Sequence, residues 1–168
     1  MTREPISIAD LLEEVPYDFW GAIFRLREGT RSVGQKYTRV LERLVDLNLA
    51  ANTLDDEDDE GAAEEREKLP ERIIETMCDA LDVVLEFKEF GEWPLPEDVE
   101  ARGEEWAEKQ REIHTRVKKI KNPTVKKILL PMWKRDEIGE DRIEAIFHHI
   151  KQEVERRKRP TSTPTSGF

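Results

Sequence analysis

The chain has 168 residues, 37% of them hydrophobic and 39% charged, with a formal net charge of −10. That length predicts one domain, and a single cysteine, Cys78, excludes a disulfide framework within the chain and points to a reducing compartment. Met1 to Asp10 lack the basic start and long apolar run of a signal peptide, and the apolar runs are too short to span a membrane. The expectation is a soluble protein, cytoplasmic or within a virus or phage particle, neither secreted nor membrane-bound.

In chain order, Ser7 is placed to cap a short helix, with Asp10 three positions on and Pro16 ending it. Asp18 then caps a predicted helix over Phe19 to Glu28, with Gly29 at its C-terminal stop. Thr30 or Ser32 opens a third helix reaching about Leu54. Its apolar positions, Val33, Tyr37, Val40, Leu44, Leu47, Ala51 and Leu54, alternate steps of four and three; Leu41 and Val45 widen the stripe. Residues 55–68 read as an acidic connector that starts with six consecutive acids. Pro70, a favoured first helical residue, opens a fourth helix running to Phe90. This is the most apolar segment, with Ile73, Ile74, Met77, Cys78, Leu81, Val84, Leu85 and Phe87, and it is expected to form the centre of the core.

The stretch Glu92-Trp93-Pro94-Leu95-Pro96 reads as a non-helical corner. A long helix from about Glu97 to Lys121 follows, with a thin stripe of Val99, Trp106, Ile113, Val117 and Ile120. Asn122 and Pro123 are read as cap and first residue of a helix carrying Val125, Ile128, Leu129 and Leu130, kinked or stopped at Pro131. The last helix, about Glu140 to Arg157, carries Ile143, Ile146, Phe147, Ile150 and Val154. The expected fold is all-α: an elongated bundle of about six or seven helices in a single domain over 1–158. Residues 159–168, rich in Thr, Ser and Pro, read as a flexible polar tail.

The charge is unevenly spread. Residues 1–110 carry 13 Lys or Arg against 30 Asp or Glu, a net of −17; residues 111–168 carry 15 against 8, a net of +7. Asymmetry of this kind points to a partner, to self-association or to complementarity within the chain. Gln occurs only at 35, 110 and 152 and Asn only at 48, 52 and 122, a scarcity of amides beside abundant Glu and Lys that suits a thermophile protein.

Several constellations bear on function. The cations Arg111, Arg116, Lys118, Lys119, Lys121, Lys126 and Lys127 lie within seventeen residues, and Lys134 and Arg135 extend them toward Arg156 and Arg159. Such a cluster neutralises nucleic-acid phosphates or meets an acidic protein partner. The thin stripes on Val33, Tyr37, Val40, Leu44 and Leu47, and on Val99, Trp106, Ile113 and Val117, are candidate oligomer contacts. Asp56, Asp58, Glu60, Gly61, Glu64 and Glu67 fall at positions 1, 3, 5, 6, 9 and 12 of a calcium-binding helix–loop–helix, so Asp56, Asp58, Glu60 and Glu67 are candidate calcium ligands; Glu60 is long for its position and Pro70 follows closely. Glu144 and His148, at i and i+4, are too few to make a metal site alone. No other metal signature and no cofactor motif is present.

Arg142 precedes His148 by six positions on the last predicted helix. This resembles the Arg-x(4–6)-His motif of the HEPN ribonucleases, small helical proteins that cleave RNA at a dimer interface. The resemblance implies that Arg142 and His148 form a catalytic pair; the family's usual polar residue after the Arg is replaced here by Ile143. From the residues themselves, the expected function is non-enzymatic: a structural, adaptor or assembly subunit of a multi-protein particle, such as a phage or virus component or an accessory subunit of a nucleoprotein complex. Its partners would be copies of itself or other proteins. A nucleic-acid-binding module built on the basic C-terminal third is the alternative.

Overall fold

A computed structural model describes residues 16–54, 60–91 and 102–158. Among them run β1 (Tyr17–Phe19), β2 (Ala22–Leu26), α1 (Arg31–Leu54), α2 (Glu60–Val84), β3 (Leu85–Phe90), α3 (Glu104–Lys118), α4 (Val125–Lys134) and α5 (Glu140–Lys158). The protein is mostly helical, but it is not the all-α bundle of six or seven helices expected. Five helices accompany a small antiparallel sheet of order β1-β2-β3. The expected helix at Ser7, the corner at 92–96, Val99, Asp56 and Asp58 and the tail from 159 lie outside the described residues.

The helix expected over Phe19 to Glu28 is a β-hairpin. From Ala22 to Leu26 side chains alternate: Ala22, Phe24 and Leu26 are buried while Ile23 and Arg25 turn outward, the period-2 pattern of a half-buried strand. The reversal is made by two residues, Trp20 and Gly21, both with positive φ (52° and 96°). Turns of that kind match the right-handed twist of the paired strands. Asp18 closes the turn by accepting the Gly21 N–H at 2.7 Å, so the residue read as a helix cap satisfies a backbone donor in a hairpin instead.

The end of the predicted fourth helix is also a strand. The chain passes from α2 at Val84 directly into β3 at Leu85, which pairs antiparallel with β2 and places Phe87 opposite Phe24. Leu85 and Phe87 fit either periodicity. The sheet wins because β2 already offers an unpaired edge and an apolar face. Glu86 pairs with Arg25 at 2.7 Å and reaches Arg27 at 3.5 Å across the same edge.

At its other end, α2 begins ten residues earlier than expected and runs through Pro70. The residues before the proline, Ala62 to Lys68, are mostly strong helix formers. A mid-helix proline costs about 3 kcal/mol. Packing against α1 offsets it: Leu69 is buried against Leu47, Ala50 and Ala51. Pro131 likewise lies inside α4, which starts at Val125 with Thr124 as its cap, two residues beyond the Asn122–Pro123 start expected. The Thr124 hydroxyl accepts the Lys127 N–H at 3.1 Å.

The core surrounds the second half of α2. Ile74, Met77, Cys78, Ala80, Leu81 and Val84 meet Tyr37, Val40 and Leu44 of α1, Phe24 and Leu26 of the sheet, Val125, Ile128, Leu129 and Met132 of α4, and Ile143, Phe147 and Ile150 of α5 in one buried cluster. The hairpin tip is tied to α3. Buried His114 donates from Nδ1 to the Trp20 carbonyl at 2.7 Å, and the Trp20 indole N–H donates to Gln110 at 2.6 Å. A carbonyl only accepts, which fixes the His114 proton on Nδ1.

Glycine is required at the tip. A Cβ on Gly21 would lie 2.4 Å from the His114 ring, and its φ is positive. Gly21→Ala is expected to lower stability by at least about 2 kcal/mol, from backbone strain plus displacement of His114. Gly34, in α1 with open space around it, should respond oppositely: Gly34→Ala is expected to gain about 0.5–1 kcal/mol. Urea denaturation of both variants checks this, and equal effects would contradict the steric assignment.

Candidate functional site

The basic C-terminal third first meets the chain's own acids. On α2, Glu71, Glu75, Asp79 and Asp82 recur at helical spacing on the side away from its apolar arc, and α4 docks onto this acidic stripe. Lys126 pairs with Glu75 at 2.7 Å and Asp79 at 3.2 Å, and Lys134 pairs with Glu71 at 2.9 Å. Hydrogen bonding to Lys126 holds the Glu75 carboxyl below its ordinary range, and the same contact raises Lys126. Arg43 of α1 reaches Asp79 at 3.7 Å.

Asp82 makes the most demanding contact in this seam. Its carboxylate accepts the Val125 N–H at 2.6 Å and the Lys126 N–H at 3.2 Å, capping α4 from a different helix. Free N–H groups at a helix N-terminus carry partial positive charge and favour a carboxylate. Burial works against that charge and pushes Asp82 up to about 6. Cys78, one turn earlier and fully buried, is pushed up to about 12 by burial and by the nearby aspartates. Its thiol stays protonated at neutral pH, which leaves it no nucleophilic character.

A second seam joins α3 to the turn before α5. The Glu137 side chain is only 4% exposed and takes Arg116 at 2.5 Å and Lys109 at 2.9 Å. Burial opposes its charge, but the two cations outweigh burial and hold the carboxyl below its ordinary range. Lys127 turns back to the carbonyls of Lys121 and Asn122, at 3.0 and 3.1 Å, just beyond the end of α3. Among the described residues, Arg111, Lys118, Lys119, Lys121 and Arg135 form no ion pair and remain exposed. Between α3 and α4 lies a groove of about 240 Å³ with Ile113, Val117, Ile128 and Met132 among its lining and Arg116, Lys127 and Arg135 around it.

The other candidates fall as follows. Tyr37, Val40, Leu44, Ile113 and Val117, taken from sequence as oligomer contacts, are buried inside the chain's own core. Val33 packs against that core and Leu47 against Leu69, while Trp106 is half-buried beneath Arg102. The stripes they form are filled without a second molecule. Glu60 opens α2 and Glu67 is exposed along it. A calcium loop needs those positions to curl around an ion, so the helix from Glu60 onward is incompatible with that loop. No group of three potential metal-ligating side chains converges among the described residues.

Arg142 and His148 are both exposed on α5, but six positions rotate them about 120° apart. Arg142 lies over the Trp20 ring at 5.8 Å and lines a surface groove of about 580 Å³ with Tyr17, Asp18 and His149. The edge of His149 meets the Tyr17 ring at 6.2 Å. His148 instead contacts its neighbour Phe147. Within one chain the Arg142–His148 pair therefore does not converge.

Sequence reasoning missed one surface. Val45 and Leu49 of α1 are 57% and 59% exposed, and with Leu41, which is partly buried and packs against the core, they form an apolar ridge running from the flank of the core face to the exposed side. Val45 and Leu41 had been read as widening the stripe of this helix, core-facing or interface-facing, and not as a separate surface. The step of four from Leu41 to Val45 to Leu49 was the available signal, since it departs from the buried set by more than a quarter turn.

No protein-family model matches the chain, and no curated protein or solved structure shows significant similarity to it. No helix among the described residues is long and apolar enough to cross a membrane.

Asp82 and the paired glutamates give opposite pH dependences. A carboxyl raised to about 6 binds its proton more tightly folded than unfolded, so its contribution to stability falls as pH rises between about 4 and 6. The lowered Glu75 and Glu137 stabilise the fold above the ordinary Glu range, and that stability is lost as pH falls through their folded values. Asp82→Asn removes only the first effect. Measured by urea denaturation, the stability of the native protein relative to Asp82→Asn should be greater at pH 4.5 than at pH 7. The reverse trend would mean that the α4 cap outweighs burial.

Proposed function

We propose that the protein is a non-enzymatic structural, adaptor or assembly subunit of a multi-protein particle, of the kind found in phages, viruses or nucleoprotein complexes. The observation that carries this reading is the exposed ridge of Leu41, Val45 and Leu49 on α1. A chain with 39% charged residues has ample polar surface for a solvated helix, yet this face is apolar. Contiguous exposed apolar surface marks an interaction site more often than a solvated face. Phe90, the third large exposed apolar side chain among the described residues, lies on β3 at the edge of the sheet and offers a further contact.

Val45→Glu tests the reading on the full chain. Multi-angle light scattering across a concentration series, and recovery of whatever co-purifies with the native protein, should both show assembly that the variant loses while its helical circular dichroism is unchanged. A native protein that is monomeric at every concentration and brings down no partner would end the proposal.

A second reading, a nucleic-acid-binding module, is supported by the exposed Arg111, Lys118, Lys119 and Lys121, which no acid of the chain neutralises among the described residues. The cations on α4 are less available to it, because Lys126 and Lys134 are engaged with α2. Neutralising Lys118, Lys119 and Lys121 together should lower affinity for a fluorescent oligonucleotide and flatten its salt dependence by up to about three phosphate contacts. Unchanged binding would remove this reading.

A further inference from the structure

Between the end of β2, the first two turns of α1 and the last turn of α5 lies a cleft of about 330 Å³, within the size range of small-ligand cavities. Leu26, Val33, Val84 and Val154 give it aliphatic walls. Arg27 and Arg157 also line it, and among the described residues no acid does. The Arg27 backbone is fixed by its N–H, which donates to the Val84 carbonyl at 2.7 Å. Its guanidinium reaches Glu86 only at 3.5 Å, because the closer contact of Glu86 is with Arg25. A guanidinium has five N–H donors, so one long contact leaves Arg27 able to bind an anion. Tyr37, 3% exposed, lines the same cleft. Burial, and then the charge of Glu155, push its hydroxyl up to about 12, so it keeps its proton and can donate.

Gly29 and Gly34 line the cleft too, and a Cβ on either would meet nothing within 4 Å. Gly34 sits inside α1, where glycine is a poor helix former beside alanine. Its φ is not positive, and no atom of the fold crowds it. Neither backbone conformation nor packing within the chain therefore calls for glycine there. A missing Cβ also lets a ligand approach the helix backbone closely, and this one opens onto the cleft.

We propose that the cleft binds a small aliphatic carboxylate, its apolar body against Leu26, Val84 and Val154 and over Gly34, its head held by Arg27 and Arg157. An amino acid fits less well, because its ammonium group would find no acid in the lining. The site makes no use of the ridge on α1, so it stands or falls apart from the assembly reading.

Calorimetric titration of the full chain with octanoate, octan-1-ol and acetate tests it. Octanoate should bind saturably at millimolar concentration or below. Octan-1-ol should bind at least about fivefold more weakly, since it lacks the charge-assisted contacts, and acetate should give no detectable heat. Gly34→Leu keeps a strong helix former in α1 and fills the cleft with its side chain. It should abolish octanoate binding while urea denaturation finds the fold no less stable. Arg157→Gln, at an exposed position, should weaken octanoate by about five- to tenfold and leave octan-1-ol unchanged. Absence of saturable octanoate binding overturns the proposal, as does binding that survives Gly34→Leu. Octan-1-ol binding as tightly as octanoate would mean a cleft indifferent to charge, and the carboxylate assignment fails. Should Gly34→Leu fail to fold, Arg157→Gln decides: unchanged octanoate affinity overturns the site.

Discussion

Between Ile73 and Leu85 the chain is apolar over well over half of the circumference of one helix, and a helix of that kind is stable only when other elements surround it. Three of those elements are amphipathic helices that each bring one apolar stripe: Tyr37, Val40 and Leu44 from α1, Ile128, Leu129 and Met132 from α4, Ile143, Phe147 and Ile150 from α5. A fourth contribution comes at the junction where α2 gives way to β3. The hairpin supplies it, with Phe24 and Leu26 reaching into the same cluster and β3 extending the pairing from Leu85 onward. The sheet is small, but it joins the helices in closing this end of the core.

The remaining arc of α2 is acidic, and the fold uses it as a second kind of contact. Lys126 and Lys134 bind along it, and Asp82 takes the N-terminal amides of α4. Most of these pairs are partly exposed and each contributes little by itself. Their effect is mainly on register: Asp82 has one geometry in which two successive N–H groups reach both its oxygens, and that geometry sets where α4 begins. The charge asymmetry of the sequence is thus consumed partly inside the molecule. What stays outside is a smaller set of cations near the end of α3, and an apolar ridge on α1 that no electrostatic pattern foretold.

Helices α1 and α5 were legible almost to the residue, because both carry long 3.6-residue patterns and punctuating residues such as Thr30 and Gly139. The hairpin was not. Tyr17 to Leu26 contains an acid at a capping position and a glycine three residues past its end, and over so short a span aromatic and aliphatic residues satisfy helix and strand alike. The role of His114 was illegible for a related reason. Its partner, the Trp20 carbonyl, is 94 residues away, and no local pattern reports a contact made at that separation.

By itself the sequence determined a mostly helical chain, a core centred on Ile74 to Val84, and a polarity running from an acidic first part to a basic last one. These depend on composition and on periodicity within single elements, which neighbours do not alter. Tertiary structure alone decided which face of α1 is consumed and which is left over, whether Lys126 meets a partner or Glu75, and whether Leu85 to Phe90 continues a helix or joins a strand. In each case the same residues satisfy two local solutions of similar energy, and the choice falls to the burial or pairing supplied by an element distant in the chain.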